Sequence, residues 1–481
     1  MDIRSENDIE RLRAVAVLQS SWIEHLTTKL EQKCKQLDEL MGVEGEFQET
    51  LDLTEKAVAE AQGQTAPPDK PKQKKPPKKR TRFGATPQPK LEQKTLKCVL
   101  DTPDMTCPAC GGELREFAGQ ADVSELIDVV EVTYQLVRVE QQKYVCTCGG
   151  CVETAPGPIR MTDGGRYSAA FGAKVACDKY VHHIPLARQA RIMAGHGLEV
   201  TSQTLWDQID ACAALLEPTW IALRREILAC GVIGLDQTSW PSLHDKKKKP
   251  WQMWALTAPG MVWHGIQDDK SAATFVELVG DFEGTVVCDA LKTHGAGARA
   301  SPGVELAGCW AHVRRKFADA RDKWPEAQTA LDHIRALYDI ENRAADDAEL
   351  AELRRTESKA VLAELKAWLL SQRVLRKSAF GKAVRYPLTN WARLTRFVDD
   401  VRVPLDNNAT ERGLRGPVVG RRNHFGSKSR RGTEVASVLY SLAETAKLCG
   451  VEPRAYFEEA IRRARLSPGT VFFPWEMLDA G

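Results

Sequence analysis

Apolar residues recur at seven-residue spacing near the start of the chain. Ile9, Ala16, Ile23, Leu30 and Leu37 occupy one position; Leu12, Gln19, Leu26, Lys33 and Leu40 occupy the other. Eight of these ten are apolar, which predicts a coiled-coil helix. It is either a dimerising zipper or an amphipathic helix on its own domain, since Gln19 and Lys33 interrupt the seam. The pattern then lapses into the proline- and lysine-rich stretch 63–90, an extended linker. Val, Ile and Tyr enrichment over 123–146 predicts short strands. Residues 167–230 read as helices. LARQARIMAGHGLEVTSQTLWDQI has the outline of a helix-turn-helix, with Ser202 as N-cap of the second helix. Two helices joined by any short turn look the same, so DNA binding is one of two readings there.

Between 230 and 317 the period changes to short apolar runs bounded by turn residues, predicting a sheet. Helical spacing returns over 318–398, where Leu331, Ile334, Leu337 and Tyr338 share one face and Leu362, Leu365 and Leu369 another. Polar helices and a basic loop follow over 405–465. No internal repeat is present. At 481 residues the chain is too long for one compact domain. There is no apolar run long enough to span a membrane, and the polar start MDIRSENDIE is neither a signal nor a transit peptide. The cytosol is the expected compartment, with the protein nucleoid-associated when bound to DNA.

A net charge of +2 conceals strong polarisation. Residues 70–82 carry eight Lys/Arg and no acid, including Lys78, Lys79, Arg80 and Arg82. Residues 411–431 carry seven Lys/Arg and one Glu. The first run is a solubilising linker or a nonspecific phosphate tether.

Thirteen cysteines in a cytosolic chain point to metal or core thiols before disulfides. Cys107-Pro-Ala-Cys110-Gly-Gly is a metal knuckle, because two thiolates two residues apart grip one ion and the glycines allow the tight turn. Cys146, Cys148 and Cys151 follow. Two of these three complete a tetrahedral, structural zinc site; Cys148 and Cys151 repeat the spacing, while Cys146 directly follows the strand-like KYV.

An acid at the end of an apolar strand is costly unless something uses it. Asp236 ends the run VIGL, and Asp289 ends TVVC. QMWALTAP and MVWHGIQ supply two strands between them. Glu411 lies in Asp406-Asn407-Asn408-Ala409-Thr410-Glu411-Arg412, a capped helix start. Each acid alone reads as a cap or a surface charge. Three converging carboxylates repel unless divalent cations neutralise them, and an oxygen-only set favours Mg2+ or Mn2+. Two such ions suit phosphodiester displacement.

With these residues in view, the sequence resembles the DDE-type transposases of the bacterial insertion-sequence-sixty-six group. The resemblance rests on CPACGGEL with KYVC, KYVHHIPLARQ, GLEVTSQTLWDQ, LDQT, CDALKTH, CWAHVRRKF, SAFGKAVRYPLTNW, LDNNATERGLR, VGRRNHFGS and SLAETAKLCGVEP, in family order and over most of the chain. It implies a multidomain α+β protein. In order these are a coiled-coil dimerisation segment (1–60), a linker (61–97), a zinc-binding domain (98–160) and a helical, helix-turn-helix-like DNA-binding segment (161–229). An RNase H-like core follows (230–317), then a helical insertion (318–400), then the second core part with the Glu-bearing helix and tail (401–481).

The resemblance further implies Asp236, Asp289 and Glu411 as the metal-binding triad, with two Mg2+ or Mn2+ ions. It implies a homodimer or larger assembly on double-stranded DNA at the terminal inverted repeats, and accessory proteins of the same element. Three positions depart from the family pattern: Gln237 replaces Glu, Ala290-Leu291 replaces Gly-Tyr, and His182 replaces an acid. Both aspartates are kept, so the expected activity is Mg-dependent cleavage and strand transfer at element ends. The alternatives are a nuclease without strand transfer and an inactive DNA-binding relic or repressor.

Cys309-Trp-Ala-His312 resembles a pair seen after the second acid in several DDE families. His312 is expected to contact the active site or a phosphate, and Cys309 to be a core residue. A second zinc site is not expected, since no further paired ligands lie nearby in sequence. Arg412, Arg415, Arg421, Arg422 and Lys428 are expected to face DNA phosphates or to form a solvated basic face. Lys246–Lys249 form a hairpin tip. Trp240, Trp251, Trp254 and Trp263 are expected in the sheet packing.

Overall fold

The computed structural model describes residues 134–145, 152–154, 156–243 and 250–478, all within one compact unit, Glu125–Gly481. The coiled-coil segment, the linker with Lys78, Lys79, Arg80 and Arg82, the five candidate zinc cysteines and Lys246–Lys249 lie outside the described residues. A short antiparallel pair, β1 (Lys143–Val145) and β2 (Val152–Thr154), precedes the helices.

The main sheet contains β3 (Val232–Trp240), β4 (Trp251–Ala258), β5 (Met261–Gln267), β6 (Gly284–Val287) and β7 (Val304–Ala307), in the order β5-β4-β3-β6-β7. β3, β4 and β5 form an antiparallel meander, while β6 and β7 run parallel to β3. The chain reaches β6 through α4 (Ala272–Val279) and β7 through α5 (Lys292–Ala300). β4 and β5 are buried along nearly their whole length. Both faces of the sheet are therefore covered, which explains continuous apolar runs where alternation would mark a half-exposed sheet.

Three helices precede the sheet: α1 (Ala169–Tyr180), α2 (Leu186–Gly195) and α3 (Ser202–Leu228). Thr201, one residue before the expected Ser202, caps α3 by accepting from Thr204 N at 3.1 Å. α3 is 27 residues long and buries Leu205, Ile209, Cys212, Leu216, Leu223 and Ile227. These side chains share one apolar cluster with the sheet, and Trp220 Nε1 donates to the His264 carbonyl of β5 at 3.0 Å. The boundary expected at residue 229 therefore separates no two cores. A helix of this length with a continuous buried stripe is a supporting element of the sheet. The four tryptophans are buried in that packing, as expected.

β5 is an edge strand, and unpaired edges invite aggregation. Here α14 (Arg430–Leu448) closes it with hydroxyls at four-residue spacing. Val262, His264 and Ile266 N–H groups donate to Thr445 Oγ1, Ser441 Oγ and Ser437 Oγ at 3.1, 2.7 and 3.2 Å. One polar helix face thus serves as a surrogate strand.

After β7 come α6 (Trp310–Arg321), α7 (Ala327–Arg343), α8 (Asp347–Leu353), α9 (Lys359–Ser371), α10 (Ala379–Thr389) and α11 (Trp391–Leu394). Leu331, Ile334 and Leu337, with Leu362, Leu365 and Leu369, meet Phe317, Phe380 and Phe397 in a second apolar cluster. The helical faces read from the sequence are the faces buried, with Tyr338 half-buried at the cluster's edge. Arg354 runs through this block with almost no exposure. Its guanidinium pairs with Glu341 at 2.6 Å and donates to the carbonyls of Phe397, Asp400, Val401 and Val403. The chain then returns to the sheet as α12 (Asn408–Gly413) and α13 (Arg415–His424), followed by α14 and α15 (Pro453–Leu466). Among the described residues, no helix is long and apolar enough to cross a membrane.

Candidate active site

Asp236 lies in the middle of β3, facing Ala255 across the ladder, rather than at the strand's end. The parallel pairing with β6 stops at Gly234, so β3 continues beyond it with β4 alone. Asp236 sits just past that last parallel pair, and Asp289 lies two residues beyond β6. The two acids thus emerge at the same level of adjacent parallel strands.

Glu411 is 122 residues beyond Asp289 in sequence, and packing alone brings it back. Asn407, itself buried, anchors the start of α12. Its Nδ2 donates to the Leu235 carbonyl at 3.0 Å, its Oδ1 accepts from Thr410 Oγ1 at 2.6 Å, and its N–H donates to Cys309 Sγ at 3.3 Å. The Thr410 and Thr257 hydroxyls lie 2.6 Å apart. Gly234 permits this approach: a Cβ there would collide with both threonine hydroxyls. From beneath, His264 Nε2 lies 3.0 Å from the Gly413 carbonyl. Asp406 accepts from Asn408 N at 2.9 Å and from Tyr338 of α7 at 2.7 Å, joining the helical block to the same turn.

The electrostatics follow from burial and crowding. Burial pushes the Asp236 carboxyl up to about 6, and the Asp289 and Glu411 charges add to the rise; the Gln237 N–H, donating to Oδ1 at 2.7 Å, opposes it. Asp289 moves the other way. Burial alone would raise it, but His294 outweighs that and holds it below the ordinary carboxylate range. His294 is fully buried on α5. His312 Nε2 lies 3.8 Å from Glu411 Oε1, and Arg315 Nη2 lies 3.9 Å from Glu411 Oε2. Glu411 Oε1 is buried and has no hydrogen-bond partner.

This donor set fits a hard divalent cation. A like-charged carboxylate cluster with one acid driven towards neutrality and one orphaned carboxylate oxygen is stabilised by a cation, and all its donors are oxygens. The three acids do not by themselves close to one ion's ligand spacing. Among the described residues, the trio of potential ligands that lies within 4.8 Å is Cys309, His312 and Glu411.

Arg412, Arg415, Arg422 and Lys428 are exposed and make no ion pair among the described residues. Arg421 differs from the expectation. Its guanidinium donates to Thr238 Oγ1 at 2.8 Å and to the Ser239 carbonyl, tying α13 to the distal half of β3. The basic loop after α13 is fastened there too: Trp240 Nε1 donates to Ser427 Oγ at 3.1 Å, and Leu243 N to the Ser427 carbonyl at 2.8 Å.

Sequence reading missed His294, His264, Asn407 and Thr410. His294 stands five residues after Asp289, and that local spacing is the one available signal for it. The others act only across long sequence separations.

A family model described as "Transposase IS66 family" matches residues 164–435, more than half of the chain. The chain belongs to the IS66 transposase family. A second match, "zinc-finger binding domain of transposase IS66", covers residues 104–149. It includes Cys107, Cys110, Cys146 and Cys148 and stops short of Cys151. Two relatives come from Sinorhizobium fredii. "Uncharacterized protein y4jD" is 30% identical over 408 residues, 78% of this chain and 79% of that protein. "Uncharacterized protein y4hP" is 27% identical over 414 residues, 79% of this chain and 74% of that protein. The family match spans the sheet, the helical block and α12–α13, so every residue of the site above falls inside it.

Proposed function

We propose that this IS66-family protein is a DDE transposase that binds the terminal inverted repeats of its element, cleaves the DNA there and joins the freed 3′ end to a target. The observation that carries this reading is the meeting of Asp236 and Asp289, at the same level of adjacent parallel strands, with Glu411 on a helix bolted to β3 and β4. The strand order, an antiparallel meander followed by two parallel strands, supports an RNase H-like core.

Asp236, Asp289 and Glu411 would hold Mg2+ or Mn2+, as two ions. Such ions, when bound, lower the pKa of water and stabilise charge on attacking and leaving oxygens. The chain's own residues do the rest. His294 orients the Asp289 carboxylate. Asn407 and Thr410 fix the height of Glu411 over the sheet. His312, with Nε2 3.8 Å from Glu411 Oε1, would contact the reacting phosphate beside that carboxylate. Arg412, Arg415, Arg422 and Lys428 supply cations for phosphates, and Arg421 holds α13, the helix of Arg415 and Arg422, in place. No side-chain nucleophile is required, because water and then a DNA hydroxyl attack phosphorus directly.

In the same reading, Cys107 and Cys110 with two of Cys146, Cys148 and Cys151 hold one structural Zn2+. Residues 1–60 drive homodimer or larger assembly, and Lys78, Lys79, Arg80 and Arg82 tether DNA nonspecifically. Proteins of the same element act as accessory partners.

The test uses a labelled duplex carrying the element's end and a target plasmid. Wild-type protein with Mg2+ gives cleaved ends and joined product; Asp289→Ala binds the duplex and gives neither. Cleavage without joining assigns a nuclease instead, and full cleavage by Asp289→Ala refutes the triad.

A further inference from the structure

Cys309 and His312 lie at the start of α6, 99 residues before Glu411 in the case of His312. Their side chains nevertheless face the same carboxylate. Thiol sulfur, imidazole nitrogen and carboxylate oxygen all lie within 4.8 Å of one another. Bond lengths of about 2.0–2.3 Å in a tetrahedral zinc-type site place ligand atoms roughly 3.3–3.6 Å apart. The His312 Nε2 to Glu411 Oε1 separation of 3.8 Å is already close to that. Side-chain rotations closing the remaining gaps by about 1 Å complete the geometry.

Two further observations point to a ligand. Glu411 Oε1, the carboxylate oxygen nearest His312 Nε2, is buried with no hydrogen-bond partner. Buried polar atoms without partners are rare, and an ion is one of the things that satisfies them. The Cys309 sulfur already accepts the Asn407 N–H at 3.3 Å, an outer-shell contact of the kind that supports a metal-bound thiolate.

We propose that Cys309, His312 and Glu411 form a binding site for one thiophilic divalent cation of the zinc or cobalt class, distinct in chemistry from the oxygen-only magnesium set. Mixed S, N and O donors select such ions over magnesium. Binding displaces the Cys309 proton to solvent, leaving a sulfur–metal bond; in the free protein, burial lifts this thiol to about 11, so it starts protonated. The site shares Glu411, so its occupation withdraws that carboxylate from the magnesium set and inhibits Mg-dependent chemistry. Only this inhibitory consequence rests on the function proposed above; the binding itself does not.

The test is cobalt(II) titration of the full-length protein, read by metal stoichiometry and by thiolate-to-cobalt absorption. The cysteines over 107–151 contribute their own signal, so the readout is a difference. Wild type is expected to bind one more cobalt per chain than Cys309→Ser and than His312→Asn. The Cys309→Ser hydroxyl keeps an acceptor for the Asn407 N–H, and the His312→Asn variant gives an independent result if the first fails to fold. Asp236→Asn, which touches only the carboxylate set, is expected to keep the full thiolate-to-cobalt absorption even where the carboxylates bind less cobalt. Equal thiolate-to-cobalt absorption in wild type and the folded Cys309→Ser variant overturns the proposal, as does loss of the Cys309-dependent absorption in Asp236→Asn. Failure of the transposase reading shows instead as wild-type protein that binds the extra cobalt and never cleaves DNA with Mg2+.

Discussion

His294 Nδ1 lies 3.0 Å from Asp289 Oδ1, while Nε2 of the same ring lies 2.8 Å from Gln237 Oε1. One fully buried imidazole therefore links the second acid to the residue that follows the first. This is why the two aspartates titrate in opposite directions although both are partly buried. Gln237 is the residue whose side-chain oxygen meets the other ring nitrogen.

Outer-shell partners of metal-binding groups typically contribute 10–100-fold in affinity or activity. His294→Ala is expected to raise the magnesium concentration for half-maximal DNA cleavage by roughly 10-fold or more, through the loss of Asp289 orientation. Cleavage rate measured against magnesium concentration checks this. An unchanged half-saturation would reduce His294 to packing.

Asp236 sets a pH dependence. With its carboxyl at about 6, cation binding and cleavage should decline as pH falls through that value. Its effect on stability has the opposite sense. The folded-state pKa exceeds the ordinary aspartate value, so the folded state binds the extra proton and stability is lost as pH rises towards 6. Asp236→Asn should therefore stabilise the cation-free protein at pH 7.5 by about 1–2 kcal/mol, allowing for solvent screening at its open side. Urea melts at pH 7.5 and pH 4 test this. The gain should vanish at the lower pH, and added Mg2+ should cancel it at the higher.

Gly234→Ala places a methyl group against the Thr410 and Thr257 hydroxyls. Overpacking of this kind costs about 1–3 kcal/mol. The displaced element is α12, which carries Glu411. Cleavage should fall at least about 10-fold, because an ångström of misplacement at a catalytic group costs up to about 100-fold. Parallel measurement of cleavage rate and urea midpoint separates the two effects.

Arg354 is buried with Glu341 and four carbonyls, so removing its charge strands Glu341 and those acceptors. Arg354→Ala should destabilise the protein by about 3–5 kcal/mol. Arg354→Lys should not restore it, since one ammonium cannot span the fork of contacts. Denaturant unfolding of the three proteins decides this.

The exposed arginines should appear in the salt dependence of DNA binding. Each phosphate contact contributes about 0.9 to the slope of log affinity against log salt. Arg412→Ala, Arg415→Ala and Arg422→Ala should each reduce the slope by about that amount if the side chain meets a phosphate. Arg421→Ala should instead lower thermal stability, because its guanidinium is committed to Thr238 and Ser239.

Much of the candidate site is legible in the sequence. Asp236 and Asp289 stand out because a carboxylate directly after an apolar run is costly unless used. Glu411 stood in a capped turn beside the basic run. The strand order was partly readable too, since two apolar runs filled the gap between the aspartates. The helix pair at 186–228 left two readings open, because a helix-turn-helix and a core helix with its lead-in share one local pattern. Its length and unbroken apolar stripe were the signals for the core.

The sequence by itself determined the periodicities, the chemical types at each position and the family, since these are local or linear properties. The tertiary structure alone decided which residues meet. Ser437, Ser441 and Thr445 became the closing edge for β5 because their four-residue spacing matches every second N–H of that strand. Arg421 became a strut because β3 runs on past Asp236. Cys309, His312 and Glu411 became neighbours because the helical block returns the chain to the sheet at Asn407. Such meetings depend on how the whole chain packs, and a linear spacing carries no record of them.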